Sequence, residues 1–167
     1  MSPRITVIGC GYLGATHAAC MAELGFEVLG LDVDEARVRA LQEAQLPFFE
    51  PGLEPMLRKH VESGRLRFTT SYAEVAEFGD VHFVCVSTPQ RDGEFAADVS
   101  HVDEAIGSLA PLLDRPCVVV GKSTVPVGTA ERLAETIERL APAGNQAVLA
   151  WNPDRSVASR RVPPDRA

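Results

Sequence analysis

No apolar run in this 167-residue sequence approaches the ~20 residues that a membrane-spanning helix needs, so no membrane partner is expected. A basic surface is missing too. Lysine and arginine number 16 against 23 aspartates and glutamates, a net charge of −7, which argues against nucleic acid as a partner. Cysteines are few: Cys10, Cys20, Cys85 and Cys117 lie in apolar stretches, none in C-x-x-C spacing. They read as small buried hydrophobes, not as a zinc or redox site. His17, His60, His82 and His101 fall in separate elements without ligand spacing, and no metal is expected. Met1 leads into strand-like sequence without a basic segment and an apolar one behind it, so no signal peptide is visible. A reducing, cytoplasmic setting is the expectation.

What is present is an alternation. Short runs rich in β-branched residues occur at 5–8, 28–31, 67–70, 81–86, 117–120 and 147–151. Between them lie stretches with helical spacing. Leu53, Met56, Leu57 and Val61 make one apolar stripe; Val102, Ala105, Ile106, Leu109, Leu112 and Leu113 make another; Ala130, Leu133, Ala134, Ile137 and Leu140 make a third. Continuous apolar strands separated by helices imply a mostly parallel sheet covered on both faces. Six of them in β-α-β order predict an α/β fold, a doubly wound Rossmann arrangement over residues 1–153 with right-handed crossovers.

The chemistry begins at Gly9-Cys10-Gly11-Tyr12-Leu13-Gly14, which follows the first strand and opens a helix ending near Gly25. Gly9 permits a tight turn, Gly11 lets a diphosphate approach the backbone, and Gly14 brings helix and strand close. Free N–H groups and the dipole at a helix start then hold the anion. Asp32 stands eighteen residues beyond Gly14, at the end of the second strand, where a carboxylate can accept from the adenosine ribose hydroxyls. Its charge opposes a 2′-phosphate, so NAD is favoured over NADP. A helix cap is the competing role for such an aspartate, and Asp34 offers the same chemistry. Arg37 has three readings open: a 2′-phosphate ligand, a residue lying over adenine, or a solvated helix residue.

In open α/β sheets ligands bind beyond the carboxyl ends of the strands. The fourth strand runs into Val86-Ser87-Thr88-Pro89 and the fifth into Gly121-Lys122-Ser123-Thr124-Val125-Pro126-Val127-Gly128-Thr129. Each places a hydroxyl beside a proline that ends the strand, and Thr88 and Thr124 are therefore candidates for the ribose or nicotinamide side of the cofactor. For an isolated threonine, capping is the simpler role. Lys122 reads as a loop lysine, and Glu50-Pro51-Gly52-Leu53 as a turn entering a helix.

Taken together, the glycine segment, Phe49-Glu50-Pro51-Gly52-Leu53, Val86-Ser87-Thr88-Pro89, Asp98-Val99-Ser100, the Lys122–Thr129 loop and Trp151-Asn152-Pro153 resemble the UDP-glucose/GDP-mannose dehydrogenase family. The likeness covers about residues 4–153, and the Lys-Ser-Thr-Val-Pro-Val-Gly-Thr stretch is its most specific part. It implies oxidation of the C6 alcohol of a nucleotide sugar such as UDP-glucose to a carboxylate, with two NAD and sulfur-bound intermediates on a cysteine. It also implies that Gly9, Cys10, Gly11, Tyr12, Leu13, Gly14, Asp32, Arg37, Thr88 and Thr124 contact the cofactor. Thr124, near the reacting centre, and Asp154, where the family has a glutamate, are the implied catalytic positions.

The family's cysteine motif and sugar-nucleotide domain have no counterpart among the 167 residues. After Pro153 the likeness breaks, and residues 154–167, with Arg155, Arg160, Arg161 and Arg166, carry neither helical nor strand periodicity. They are expected to be a disordered tail of truncated or off-frame origin. Two alternatives stay open beside a dehydrogenase half: a non-enzymatic NAD-binding module, and one chain of a split enzyme that needs a partner. Whether copies of the chain associate is not legible.

Overall fold

The computed structural model describes residues 2–46, 48–90 and 97–153. In chain order they form β1 (Ile5–Ile8), α1 (Tyr12–Glu23), β2 (Val28–Leu31), α2 (Glu35–Gln42), α3 (Leu53–Glu62), β3 (Leu66–Thr69) and α4 (Tyr72–Phe78). Then follow β4 (Val81–Val84), α5 (Ser100–Leu109), β5 (Cys117–Gly121), α6 (Thr129–Leu140) and β6 (Ala147–Trp151). The six strands make one parallel sheet in the order β3-β2-β1-β4-β5-β6. This is the doubly wound arrangement that the alternation predicts, with the strand order reversing between β1 and β4.

β1 and β2 are buried along their whole length, as strands covered on both sides must be. On one face α1 lays Ala15, Ala18, Ala19 and Ala22 against Ile5, Val7 and Val28, and α3 adds Leu53 and Leu57. Small residues on α1 let the helix sit close to the sheet. On the other face Val75 and Ala76 of α4, Val102 and Ile106 of α5, and Leu133 and Ile137 of α6 pack over Ile8, Leu31, Val84 and Val119. Each fully buried aliphatic side chain there contributes about 1.5–3 kcal/mol. His60 of α3 is buried and meets Glu23 of α1 at 2.5 Å, which pins the two helices together.

Several expectations shift, the fifth strand for one running a residue past 117–120 to Gly121. The third strand lies at Leu66–Thr69, one residue earlier than 67–70, because Leu66 pairs with Val28 and is fully buried. The fourth stops at Val84, since β1 turns away at Gly9, and the Cys85 N–H makes a last bond to β1 at the Ile8 carbonyl, 2.8 Å. Leu112 does not join the α5 stripe and is 40% exposed. Pro111 has no N–H to continue the helix, so the chain tightens into a 3-10 turn at Ala110–Leu112 and buries Leu113. The expected tail at 154–167 lies outside the described residues.

Candidate functional site

The glycine turn sits at the carboxyl end of β1. Gly9 has φ +89°, the left-handed region that favours glycine, and its N–H donates to the Leu31 carbonyl at 2.8 Å. A Cβ on Gly14 would stand 1.8 Å from the Gly9 carbonyl oxygen, so α1 and the turn touch backbone to backbone. A Cβ on Gly11 would meet nothing within 4 Å. The start of α1 has no side-chain cap and no acid in its first turn. Its leading N–H groups are therefore left without a side-chain cap, with the positive end of the helix dipole behind them, an arrangement suited to an anion.

Asp32 follows β2 and is buried. Its Oδ2 accepts from the Cys10 N–H at 2.9 Å, and its Oδ1 from the Asp34 N–H at 3.0 Å. Arg37 Nη1 reaches both oxygens at 3.0 Å, and this contact is the main cause that raises the guanidinium pKa. Asp34, not Asp32, caps α2 by accepting from the N–H groups of Ala36 and Arg37. The capping role that sequence left open between these aspartates thus falls to Asp34. Arg37 is no freely solvated residue: its guanidinium is paired to a buried carboxylate. Cys10 enters the site through its N–H, while its thiol points into the core toward the Leu31 carbonyl.

Two aromatic residues that flank this end escaped prediction or were only half read. Tyr12 is 56% exposed, stacks at a tilt on Phe48, and donates its hydroxyl to Glu50, which raises the phenol pKa. Glu50 is thus more than part of a turn. Tyr72, the first residue of α4, is half-buried; burial raises its pKa first, then the charges of Asp32 and Glu104. Leu13, the remaining residue of the glycine segment, is half-buried at the start of α1.

At the carboxyl ends of β4 and β5 the two predicted loops are bonded to each other. The Thr88 hydroxyl donates to the Thr124 carbonyl at 2.9 Å, and the buried Ser123 hydroxyl donates to the Val86 carbonyl at 2.6 Å. β6 braces them from the far side, with Trp151 Nε1 donating to the Ser123 carbonyl at 3.0 Å. Its indole fills the space where a Cβ on Gly121 would lie, 2.3 Å away. The Thr124 side chain remains exposed at the rim. Asp154 lies outside the described residues.

The thiols here are not poised for attack. Burial pushes Cys10 well up, Cys85 up to about 12 and Cys117 up. All three stay protonated at neutral pH, and a thiol is a poor nucleophile. His17 of α1 sits edge-on to Phe83 with its pKa lowered by burial and by the nearby Lys122. Among the described residues no group of three or more histidine, cysteine or acidic side chains is arranged to hold a metal. No helix of those residues is long and apolar enough to cross a membrane.

The family model for the NAD-binding domain of the UDP-glucose/GDP-mannose dehydrogenase family matches residues 3–162. The chain belongs to this family. Its match continues past Pro153, where the quoted motifs end. The UDP-glucose 6-dehydrogenase of Pseudomonas aeruginosa is 47% identical over 135 residues, 80% of this chain and 29% of that protein. The enzyme of the same name from Rhizobium meliloti is 41% identical over 151 residues, 90% of this chain and 34% of its own length. Among solved structures, a UDP-glucose dehydrogenase from Pyrobaculum islandicum superposes with a TM-score of 0.85 at 35% identity, covering 92% of this chain and 36% of that one. The chain therefore spans about a third of the length of the relatives it matches. It is the NAD-binding N-terminal domain of this dehydrogenase family, and its cofactor is NAD.

Proposed function

We propose that the chain is the cofactor half of a nucleotide-sugar 6-dehydrogenase, with UDP-glucose as the sugar nucleotide and with the diphosphate of NAD held on the glycine turn. The observation that carries this reading is the open, uncapped start of α1 above Gly11, beside the buried Asp32. The N–H groups at the start of α1 bind the diphosphate, and the Asp32 carboxylate accepts from the adenosine ribose. Asp32 and Asp34 together repel a 2′-phosphate, and the single guanidinium of Arg37 does not neutralise both carboxylates. Thr88 and Thr124 orient the nicotinamide half, Thr124 with its side chain toward the reacting centre. When bound, the nicotinamide ring supplies a hydride acceptor. The choice of UDP-glucose rests on the names of relatives at 41% and 47% identity.

A second reading, that these 167 residues bind NAD without doing chemistry by themselves, is favoured by the protonated state of the three buried thiols. One protein preparation tests both. Calorimetric titration is expected to give NAD+ binding about tenfold or more tighter than NADP+, the scale of one unscreened like-charge contact, with the gap narrowed by Asp32→Ala. NADP+ binding as tight as NAD+ would refute the ribose assignment. With UDP-glucose and NAD+, the isolated chain is expected to make no NADH; turnover by pure protein would place the nucleophile within these residues.

A further inference from the structure

The carboxylate of Asp32 has no acceptor direction left. Oδ1 takes the Asp34 N–H and Arg37, and Oδ2 takes the Cys10 N–H and Arg37. A carboxylate offers about four such directions. Two of the donors here are backbone groups, one in the glycine turn and one leading into α2, and neither can leave without unmaking the turn itself. The third is a side chain on α2 that is 37% exposed, its other terminal nitrogen 3.7 Å from the exposed Asp34 carboxylate.

We propose that Arg37 is a positioning residue that stands in for the adenosine ribose, and that the ribose hydroxyls take over its two directions on Asp32 when NAD binds. This rests on the reading of Asp32 as the ribose acceptor. A buried carboxylate stripped of its partner is costly, so the guanidinium keeps Asp32 oriented and hydrogen-bonded until a hydroxyl replaces it. The exchange trades one set of hydrogen bonds for another. Hydroxyl binding therefore adds little net affinity while Arg37 is present, and Arg37 sets how strongly the site responds to the ribose.

The test compares NAD+ with its analogue lacking the adenosine 2′-hydroxyl, titrated into the full chain and into Arg37→Met. In the parent the loss of the hydroxyl is expected to weaken binding only a few-fold. In Arg37→Met the ratio should grow by about tenfold, the scale of one hydrogen bond to a charged group. An equal, sizeable ratio in both proteins overturns the exchange while leaving the ribose assignment intact. A ratio of one in both overturns the ribose assignment and the exchange with it. A second readout needs no variant. The Arg37 guanidinium N–H signals, assigned by NMR, should change shift and exchange faster with water as NAD+ is added. Signals that stay unmoved in the saturated complex would overturn the proposal.

Discussion

The two halves of the sheet share one βαβ plan and end at one edge, yet they equip that edge differently. The first half, β1 to β3, offers backbone: a glycine turn, a helix start without a cap, and a single buried acid. Asp34 caps α2 and Ser71 caps α4, while α3, α5 and α6 lack a side-chain cap but carry an acid in the first turn, so a start with neither sets α1 apart from these helices. The second half, β4 to β6, offers hydroxyls instead, with Thr88 and Ser123 tying two loops together. The halves also differ in cover. β1 and β2 are buried on both faces, whereas Val118 of β5 and Val148 of β6 are 38% and 52% exposed on the face that α5 and α6 leave open. An anion site demands backbone that nothing else uses, while a hydroxyl loop demands only that its strands stay in register.

The sharpest way to break this contrast is at the glycines. Gly14→Ala drives a Cβ into the Gly9 carbonyl and is expected to cost about 3 kcal/mol or more in a urea melt, the upper range for overpacking. Gly11→Ala meets open space and should cost under about 1 kcal/mol, yet weaken NAD+ binding about tenfold or more by filling the cradle. If the two variants behaved alike, the separation between a packing glycine and a binding glycine would be lost.

The seam between the halves gives a pH signature. His82 of β4 is fully buried beside Thr6 of β1, with the Thr6 hydroxyl 2.8 Å from Nδ1. Burial, then the charge of Arg115, brings its pKa down to about 4. The unfolded chain protonates its histidine near pH 6.5, before the folded one does. Stability is therefore unaffected by His82 above pH 6.5, falls as the pH drops from 6.5 toward 4, and levels off below, a loss of about 3 kcal/mol. His17 is lowered too and adds in the same direction, so the measurement is the difference in slope between parent and His82→Gln. Equal slopes would mean that His82 is not buried in its neutral form.

The smallest effect belongs to the open face. Val118→Thr and Val148→Thr should each change stability by less than about 0.5 kcal/mol, as exposed sites do. Val119→Thr, fully buried one residue away, should cost several times more. Comparable costs at all three positions would show that the face is covered.

The sheet was legible because strands buried on both faces are written as unbroken apolar runs, and because Gly9 to Gly14 sits between strand and helix. α4 was not: seven residues with Val75 and Ala76 as its buried contacts are too short for a stripe. Local chemistry was readable as a set of options, such as Asp32 or Asp34 for the cap, and only the fold chose between them. Contacts that join distant segments left no mark. Tyr12 and Glu50 are 38 residues apart, and Thr88 and Thr124 are 36 apart; each pair is made by topology. The two threonines were singled out only because both stand at strand ends on the same edge.

NAD is expected to lie along the carboxyl edge, from Asp32 past the glycine turn to the paired threonine loops. Backbone amide NMR of the 18.0 kDa chain during NAD+ titration tests it directly. The largest shifts are predicted at Gly11, Tyr12, Leu13, Gly14 and Asp32, with a second set at Thr88 and Thr124. The hollow lined by Arg4, Arg67 and Phe78, at the other end of the strands, is predicted to stay unmoved. Shifts confined to that hollow, with the glycine turn silent at saturation, would contradict this placement of NAD.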